Sequence, residues 1–526
     1  MIILQSISKS IGSRTIFKNI SFNCPSSAKV ALIGNNGVGK TTLLNILCGF
    51  DQDYSGETIV PKSVRLGYLP QTINTHPQPT ILAEALSGAI EINTIIQERD
   101  LLLGKMAEDC TQQIFDRYEY LEQMFNILNG YRLEEDAREI LRGLGFKDEQ
   151  FDQPVENLSG GWRMRLEFAK MLLNRPNFLI LDEPTNHLDL PSIEWFETYL
   201  KKFDGTILFV SHDKDLLNRL ATHVIHLRDG QINLYKGNFD AFLDAFAIKQ
   251  EQNLHIAKKL QQQYEHIEKF VDRFRASATK AKQVQSRLKN LTKLKMLEDT
   301  LHFEDLDGNM CLNLSTPVPS GKTVLKAEKI IIGYDKPLIK ELSFNILKGQ
   351  RIAILGANGL GKTTLLKTLL GKLPLLSGNI TAGHNVIPGY FSQDHEEGLK
   401  EHLTVLQNVT AANSTIREQE ARALLGSLGL AGEEVFKHVK VLSGGEKNRV
   451  ALACMLARKP NVLFLDEPTN HLDLYACENL GNALNEYEGT VIFVSHNRNF
   501  IQTVATHTLY LKERGTVNLE KFESFI

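Results

Sequence analysis

No run of about 18 apolar residues occurs anywhere in the 526-residue chain, so nothing in it is expected to cross a bilayer as a helix. The N-terminal MIILQSISKSIG has neither a basic segment nor a small-residue cleavage site, and it reads as the start of a cytoplasmic chain rather than as a leader. Cysteine is scarce. Cys24, Cys48, Cys110, Cys311, Cys454 and Cys477 are scattered with no CxxC pair, which argues against a zinc site or a disulfide framework and fits reduced core residues. Net charge is nearly absent as well: at −3 the molecule as a whole is not a basic nucleic-acid binder. What remains is an ordinary globular composition, 42% hydrophobic and 23% charged, on a chain long enough for two or three domains.

The organising signal is a repeat. GNNGVGKTTLL from Gly34 recurs as GANGLGKTTLL from Gly356, an offset of 322, and Gln71 of GYLPQ recurs at the same offset as Gln393 of GYFSQ. Further on, Ser159, Asp182 and His212 recur as Ser443, Asp466 and His496 at an offset of 284. The first copy therefore carries 38 extra residues between Gln71 and Ser159. Helical spacing without proline places them in an inserted helical arm over about 86–131. The resulting division is a first unit over 1–238, a linker over 239–320 and a second unit over 321–526.

The linker has its own pattern. Leu260, Tyr264, Ile267, Val271, Phe274 and Ala278 follow a 4-3-4-3-4 spacing, the seam of a helix that pairs with another helix, and Val284, Leu288 and Leu291 supply a shorter second seam. RASATKAKQ between them marks the tip of a hairpin. A helix from Phe239 to Ser277 would reach roughly 55–60 Å at 1.5 Å per residue. Residues 249–295 hold twelve Lys/Arg against four Asp/Glu, a net of +8 in a chain whose total is −3. A solvated spacer helix usually balances its charges in i,i+4 pairs; this one does not, so the charge alone points toward nucleic acid.

In each copy an apolar strand (KVALIG, RIAILG) runs into GxxxxGKT. Such a loop wraps phosphates with backbone N–H groups, and it comprises Gly34, Asn35, Asn36, Gly37, Val38, Gly39, Lys40, Thr41 and Thr42 in the first copy. In the second copy it comprises Gly356, Ala357, Asn358, Gly359, Leu360, Gly361, Lys362, Thr363 and Thr364. Lys40 and Lys362 would reach the β- and γ-phosphates of ATP, and Thr41 and Thr363 would ligate Mg²⁺. NFLILDE and NVLFLDE are buried strands ending in paired carboxylates. Asp182 and Asp466 suit the Mg²⁺ role, while Glu183 and Glu467, one residue on, suit a general base. TILFVSH and VIFVSH end at His212 and His496, placed to hydrogen-bond a transferring phosphoryl group. Ser159, Gly160 and Gly161, and again Ser443, Gly444 and Gly445, form LSGG elements ahead of helices, each a second phosphate-binding nest.

Together these motifs resemble the ABC ATPase family, and they cover both copies. The resemblance implies two α/β P-loop ABC ATPase domains joined by an α-helical hairpin linker. It also implies Gln71 and Gln393 as nucleotide- and Mg²⁺-contacting glutamines, and a head-to-tail pairing in which each LSGG closes over the other copy's ATP. EPTNHLDL at both strand ends, SGGWRMRL after the first signature and FRASATKAKQVQSRLKNL in the linker are similar to the ABC-F subfamily, whose members are translation factors without a membrane domain. That resemblance implies a monomer acting near the ribosomal exit and peptidyl sites, with Arg273, Arg275, Lys280, Lys282 and Arg287 on rRNA or tRNA backbone.

Two features depart from the pattern. The adenine-stacking aromatic expected after the first strand is Tyr334 in the second copy, whereas the first copy has Ile11 there and Phe17 further on. The stop at Ile526 leaves no room for the basic C-terminal coiled coil of some members, which weakens a role on DNA. Two other functions compete: an ATPase of DNA metabolism, since phosphate contacts alone do not separate DNA from RNA, and the ATP-binding subunit of a transporter, supported by the cassettes alone. Because both copies retain Lys, Asp, Glu and His, both sites are expected to hydrolyse ATP.

Overall fold

A computed structural model describes residues 2–12, 14–69, 78–108, 111–186, 188–228, 230–274, 314, 318–334, 336–392, 398–470, 472–512 and 519–523. Each half is built on a six-stranded sheet. In the first the order is Leu66–Tyr68, Phe178–Asp182, Thr206–Val210, Lys29–Ile33, His223–Arg228 and Gln231–Lys236. In the second it is Pro388–Phe391, Val462–Asp466, Thr490–Val494, Arg351–Leu355, His507–Tyr510 and Leu519–Lys521. All neighbours are parallel except the last pair of each sheet.

Unbroken runs such as FLILD and TVIFV are what a parallel sheet buried on both faces requires. Alternate residues of one strand serve two cores. Val30, Leu32 and Ile180 face a cluster under the P-loop helix, while Ala31, Ile33 and Leu179 face a larger helical cluster. Ile352, Ile354 and Phe464 are separated from Ala353, Leu355 and Leu463 in the same way. A smaller antiparallel sheet completes each half, with Ile3–Ile11 or Thr323–Gly333 as its central strand.

The extra stretch in the first half holds the helices Ile90–Glu108 and Gln112–Ile127. They are laced together by Arg117 with Glu98 (2.8 Å) and Arg99 with Glu122 (3.0 Å). The linker opens with a helix over Phe239–Phe274, 36 residues and about 54 Å long at 1.5 Å per residue. Its return segment and the tip lie outside the described residues, as do Arg275, Lys280, Lys282 and Arg287. Among the described residues no helix is long and apolar enough to cross a membrane.

The two halves meet around a pseudo-twofold axis that the sequence repeat makes explicit. Leu474 of the second half is buried within the helical core of the first, and Leu190, its counterpart 284 residues earlier, packs on the core of the second. Nearby, Lys214 pairs with Glu478 across the boundary, and Arg498 pairs with Glu194 (3.3 Å) at the equivalent place. Arg498 also reaches Glu197 (3.1 Å), and both side chains are almost fully enclosed, 4% and 6% exposed. The counterpart of Glu197 is Gly481, so this extra ion pair exists on one side only.

An enclosed arginine that loses its one enclosed carboxylate, keeping only the exposed Glu194, is costly. Glu197→Ala is therefore expected to lower unfolding free energy by about 3 kcal/mol, whereas replacing both Glu197 and Arg498 with Met recovers most of that loss. Denaturant titrations of the single and double variants check this; losses that simply add would show that the two side chains do not interact.

Candidate functional site

The chemistry-bearing residues gather at the carboxyl ends of the parallel strands, where open α/β sheets place their ligand sites. The P-loop leaves the strand Lys29–Ile33 and enters the helix Lys40–Leu47 through Gly39, whose φ is +104°. A β-carbon at Gly39 would come within 2.5 Å of Ile16, so both the turn and the packing demand glycine there. The loop folds around its own lysine. Lys40 Nζ donates to the carbonyls of Gly34 (2.7 Å) and Asn35 (3.2 Å) and to Asn36 Oδ1 (3.4 Å). Lys362 repeats this with Gly356 (2.9 Å), Ala357 (3.1 Å) and Asn358 Oδ1 (3.1 Å). Both ammonium groups are buried, and burial lowers both pKa values despite the nearby carboxylates. A β-carbon at Gly37 or Gly359 would meet nothing within 4 Å, so the crest of each loop is open. A buried cation under an open ring of backbone N–H groups suits a triphosphate.

Asp182 ends its strand with Oδ2 accepting the Thr41 hydroxyl (2.8 Å), and Asp466 Oδ1 accepts that of Thr363 (3.2 Å). A carboxylate joined to a hydroxyl offers the hard oxygen ligands that Mg²⁺ takes alongside substrate phosphates. The next residues carry backbone strain. Glu183 and Glu467 both sit in the left-handed region, at φ +50° and +49°, a conformation costing of order 1–3 kcal/mol for a non-glycine residue. Hydrogen bonds from their own N–H groups to Val210 (3.1 Å) and Val494 (2.9 Å) hold them there.

His212 Nε2 lies 3.1 Å from Glu183 Oε1, and His496 Nε2 lies 3.3 Å from Glu467 Oε1. Burial, aided by the neighbouring P-loop lysine, pushes both imidazoles down to about 3, so the rings are neutral at physiological pH. Burial pushes both glutamates up to about 8. Lys40 opposes that rise at Glu183 and Asp182 adds to it, while at Glu467 the neighbouring Asp466 adds and Lys362 opposes.

Each site also receives a group from the other half. Asp189 caps the helix Leu190–Lys202 through Oδ1, which accepts from Ser192 N–H (3.1 Å). Its Oδ2 accepts the backbone N–H of Asn358, in the second P-loop, at 2.8 Å. Burial pushes this carboxyl up, but Arg165, 3.6 Å away, together with those N–H donors outweighs it and holds the pKa below the usual range. Arg165 in turn lies over the ring of Trp162 in the first signature helix, 4.5 Å from its centroid. Asp473, the counterpart of Asp189, borders Gly34 of the first P-loop.

The motif reading missed Asp189, Asp473, Arg165 and Arg449, although their recurrence at the 284 offset was a usable signal. Only the pairing of the halves shows what the aspartates touch.

The signatures themselves differ. Ser159 and Ser443 both occupy the N-cap position of their helices, and Gly160, Gly161 and Gly444 have open space where a β-carbon would stand. Glu446 closes a capping box on Ser443, accepting from its hydroxyl (2.7 Å) and its N–H (2.8 Å). The first signature has Trp162 in that place, packed edge-on against Phe146, and Ser159 makes no side-chain cap. At the edge of the sites Ile11 and Tyr334 are exposed, 58% and 60%, whereas Phe17 is wholly enclosed and cannot serve as an adenine platform. Gln71 and Gln393 lie outside the described residues, and Arg273 lies on the linker helix.

A family model described as ABC transporter matches the chain twice, over residues 17–186 and 339–470, and an extension model with the same description matches residues 225–307. Bacillus subtilis YdiF is 39% identical over 518 residues, covering 97% of this chain and 80% of that protein. ATP-binding cassette sub-family F member 3 of Mus musculus is 37% identical over 528 residues, covering 98% and 71%. Among solved structures, one titled RNase-L Inhibitor shares the fold with a TM-score of 0.62 at 18% identity, covering 98% of this chain and 90% of that one. With two cassettes that each carry a complete P-loop, paired carboxylates and a signature, this chain is an ATP-binding cassette ATPase and belongs to the ABC-F subfamily.

Proposed function

We propose that the chain hydrolyses ATP at two composite sites between its halves, and that the resulting closure presents the basic linker helix to RNA of the ribosome. The observation that carries the first part is the contact from Asp189 to the N–H of Asn358, because it ties the P-loop of one half to the other. The second part is supported by the +8 balance over residues 249–295 and by membership of a subfamily that the sequence reading associates with translation. Such a partner places the chain in the cytoplasm, as a monomer whose halves pair with each other.

In this reading the backbone N–H groups of Gly34–Thr42 and Gly356–Thr364 cradle the phosphates, with Lys40 and Lys362 against the β/γ positions. Thr41, Asp182 and Gln71 in the first site, and Thr363, Asp466 and Gln393 in the second, would hold Mg²⁺, which would neutralise charge on the phosphates. Glu183 and Glu467 take the proton of the attacking water. Their left-handed backbone aims the carboxylate into the site, and the backbone N–H of His496 donates to Glu467 Oε2 (3.3 Å). The neutral rings of His212 and His496 stand beside the carboxylates without adding charge. Ser159–Gly161 and Ser443–Gly445 close over the ATP of the opposite half and exclude water. Arg273, Arg275, Lys280, Lys282 and Arg287 then contact rRNA or tRNA phosphates.

A general base must be deprotonated to act. With Glu183 and Glu467 raised to about 8 in the free protein, kcat/KM for ATP should rise about tenfold per pH unit below pH 8 and level off above it. A profile that is flat from pH 6 to 9 would remove the glutamates from that role. The ribosomal partner is tested by combining Glu183→Gln with Glu467→Gln, which retains ATP without cleaving it. This double variant is expected to co-sediment with ribosomes in ATP at low salt and to be released at high salt; failure to co-sediment would sink the ribosomal reading.

A further inference from the structure

The two nucleotide sites do not stand in the same relation to the linker. A small cavity beside the first site is lined by Gly34 of its P-loop, by His212, by Asp473 and Tyr475 of the opposite half, and by Phe239, the first residue of the linker helix. Three moving parts of an ATP cycle therefore share one void: the phosphate loop, the histidine beside the catalytic glutamate, and the segment reaching in from the other half.

Phe239 is wholly enclosed and opens a run of aromatic residues, with Phe242 and Phe246 on the following turns. His226, 6% exposed, is gripped edge-on by Phe242 and Phe246, each 5.4 Å away between ring centres. The next residue, Leu227, backs the P-loop so closely that a β-carbon on Gly34 would lie 2.4 Å from its carbonyl oxygen. The helix root is also tied to the helix Lys214–Leu220, where Asn218 Oδ1 accepts from Asp240 N–H (2.9 Å). That same short helix carries Lys214, the partner of Glu478 across the boundary. In the second half the strand residue matching His226 is Tyr510, which is 45% exposed, so among the described residues it is not enclosed as His226 is.

We infer that the first nucleotide site alone sets the direction of the linker helix, with Phe239 as the positioning residue that reads the approach of Tyr475 and transmits it through the Phe242–Phe246 grip on His226. Close packing makes such a root a lever rather than a cushion. Over a helix of about 54 Å, a tilt of about 5° at the root displaces the far end by about 5 Å. The inference borrows from the proposed function only the two catalytic glutamates; it needs no ribosome.

The test uses the full chain with Cys48, Cys110 and Cys311 replaced by serine and spin labels at Lys202→Cys and Lys259→Cys, so that one distance reports the helix against its own half. With MgATP, Glu183→Gln holds the first site closed and should shift that distance by about 2–3 Å, since Lys259 lies about 30 Å from the root. Glu467→Gln, which holds only the second site, should leave it as in the nucleotide-free protein. Phe239→Ala added to Glu183→Gln should abolish the shift while ATP stays bound, and Phe239→Leu should keep part of it. Should Phe239→Ala not fold, Tyr475→Ala removes the side chain that lines the same cavity from the other half and leaves the helix root intact; it too should abolish the shift. Equal shifts in the two glutamate variants, no shift in Glu183→Gln, or a shift that survives loss of Phe239 or Tyr475 would each overturn the inference. Ribosome co-sedimentation is read separately, so a lost partner and a lost lever are told apart.

Discussion

Everything in this molecule depends on a reciprocal handover at the pseudo-twofold axis. Each half ends its carboxylate strand, turns, and sends an aspartate and a leucine into the other half: Asp189 with Leu190, and Asp473 with Leu474. The leucines supply apolar burial, each worth roughly 1.5–3 kcal/mol when fully covered. The aspartates supply direction, since a carboxylate that both caps its own helix and accepts from a foreign P-loop fixes the two halves in register. Ion pairs around the axis, Lys214 with Glu478 and Arg498 with Glu194 and Glu197, then close the boundary.

Strain and burial coincide at the glutamates that follow the two carboxylate strands. The left-handed Glu183 is held by its own N–H on the Val210 carbonyl of the neighbouring strand, and burial raises its pKa. The two sites are nevertheless unequal. One signature serine is held by Glu446, while Ser159 makes no side-chain cap; an exposed Tyr334 follows one central strand and an exposed Ile11 ends the other. Only His226, not its counterpart Tyr510, is enclosed by the root of a long helix among the described residues. Copies derived from one template have been specialised by what surrounds them, while the phosphate-binding core stayed the same.

Much of this was legible in the residues. Strands ending in GxxxxGKT, in paired carboxylates and in histidine specify both sheet and site, because parallel strands deliver their terminal residues to one edge. The repeat offset placed the extra helices and the linker. Less legible was anything that depends on the halves meeting. Asp189 reads in sequence as a helix cap, which it is; that its second oxygen serves Asn358 of the other half appears only when the two halves are packed together. Phe239 enters the sequence analysis only as the start of the linker helix and His226 not at all; their place at a three-way junction is a property of tertiary packing, not of spacing. Phe17 shows the converse: an aromatic near the expected adenine position that packing removed to the core.

The most direct measurement of the central claim, that each half completes the other's site, is site-resolved photolabelling with an azido-ATP after Asp189→Ala. Asp189 belongs to the first half but contacts the second P-loop, so labelling should fall in the peptide containing Lys362 and persist in the peptide containing Lys40. A loss confined to the Lys40 peptide would contradict the account, because it would mean that each half builds its nucleotide site alone.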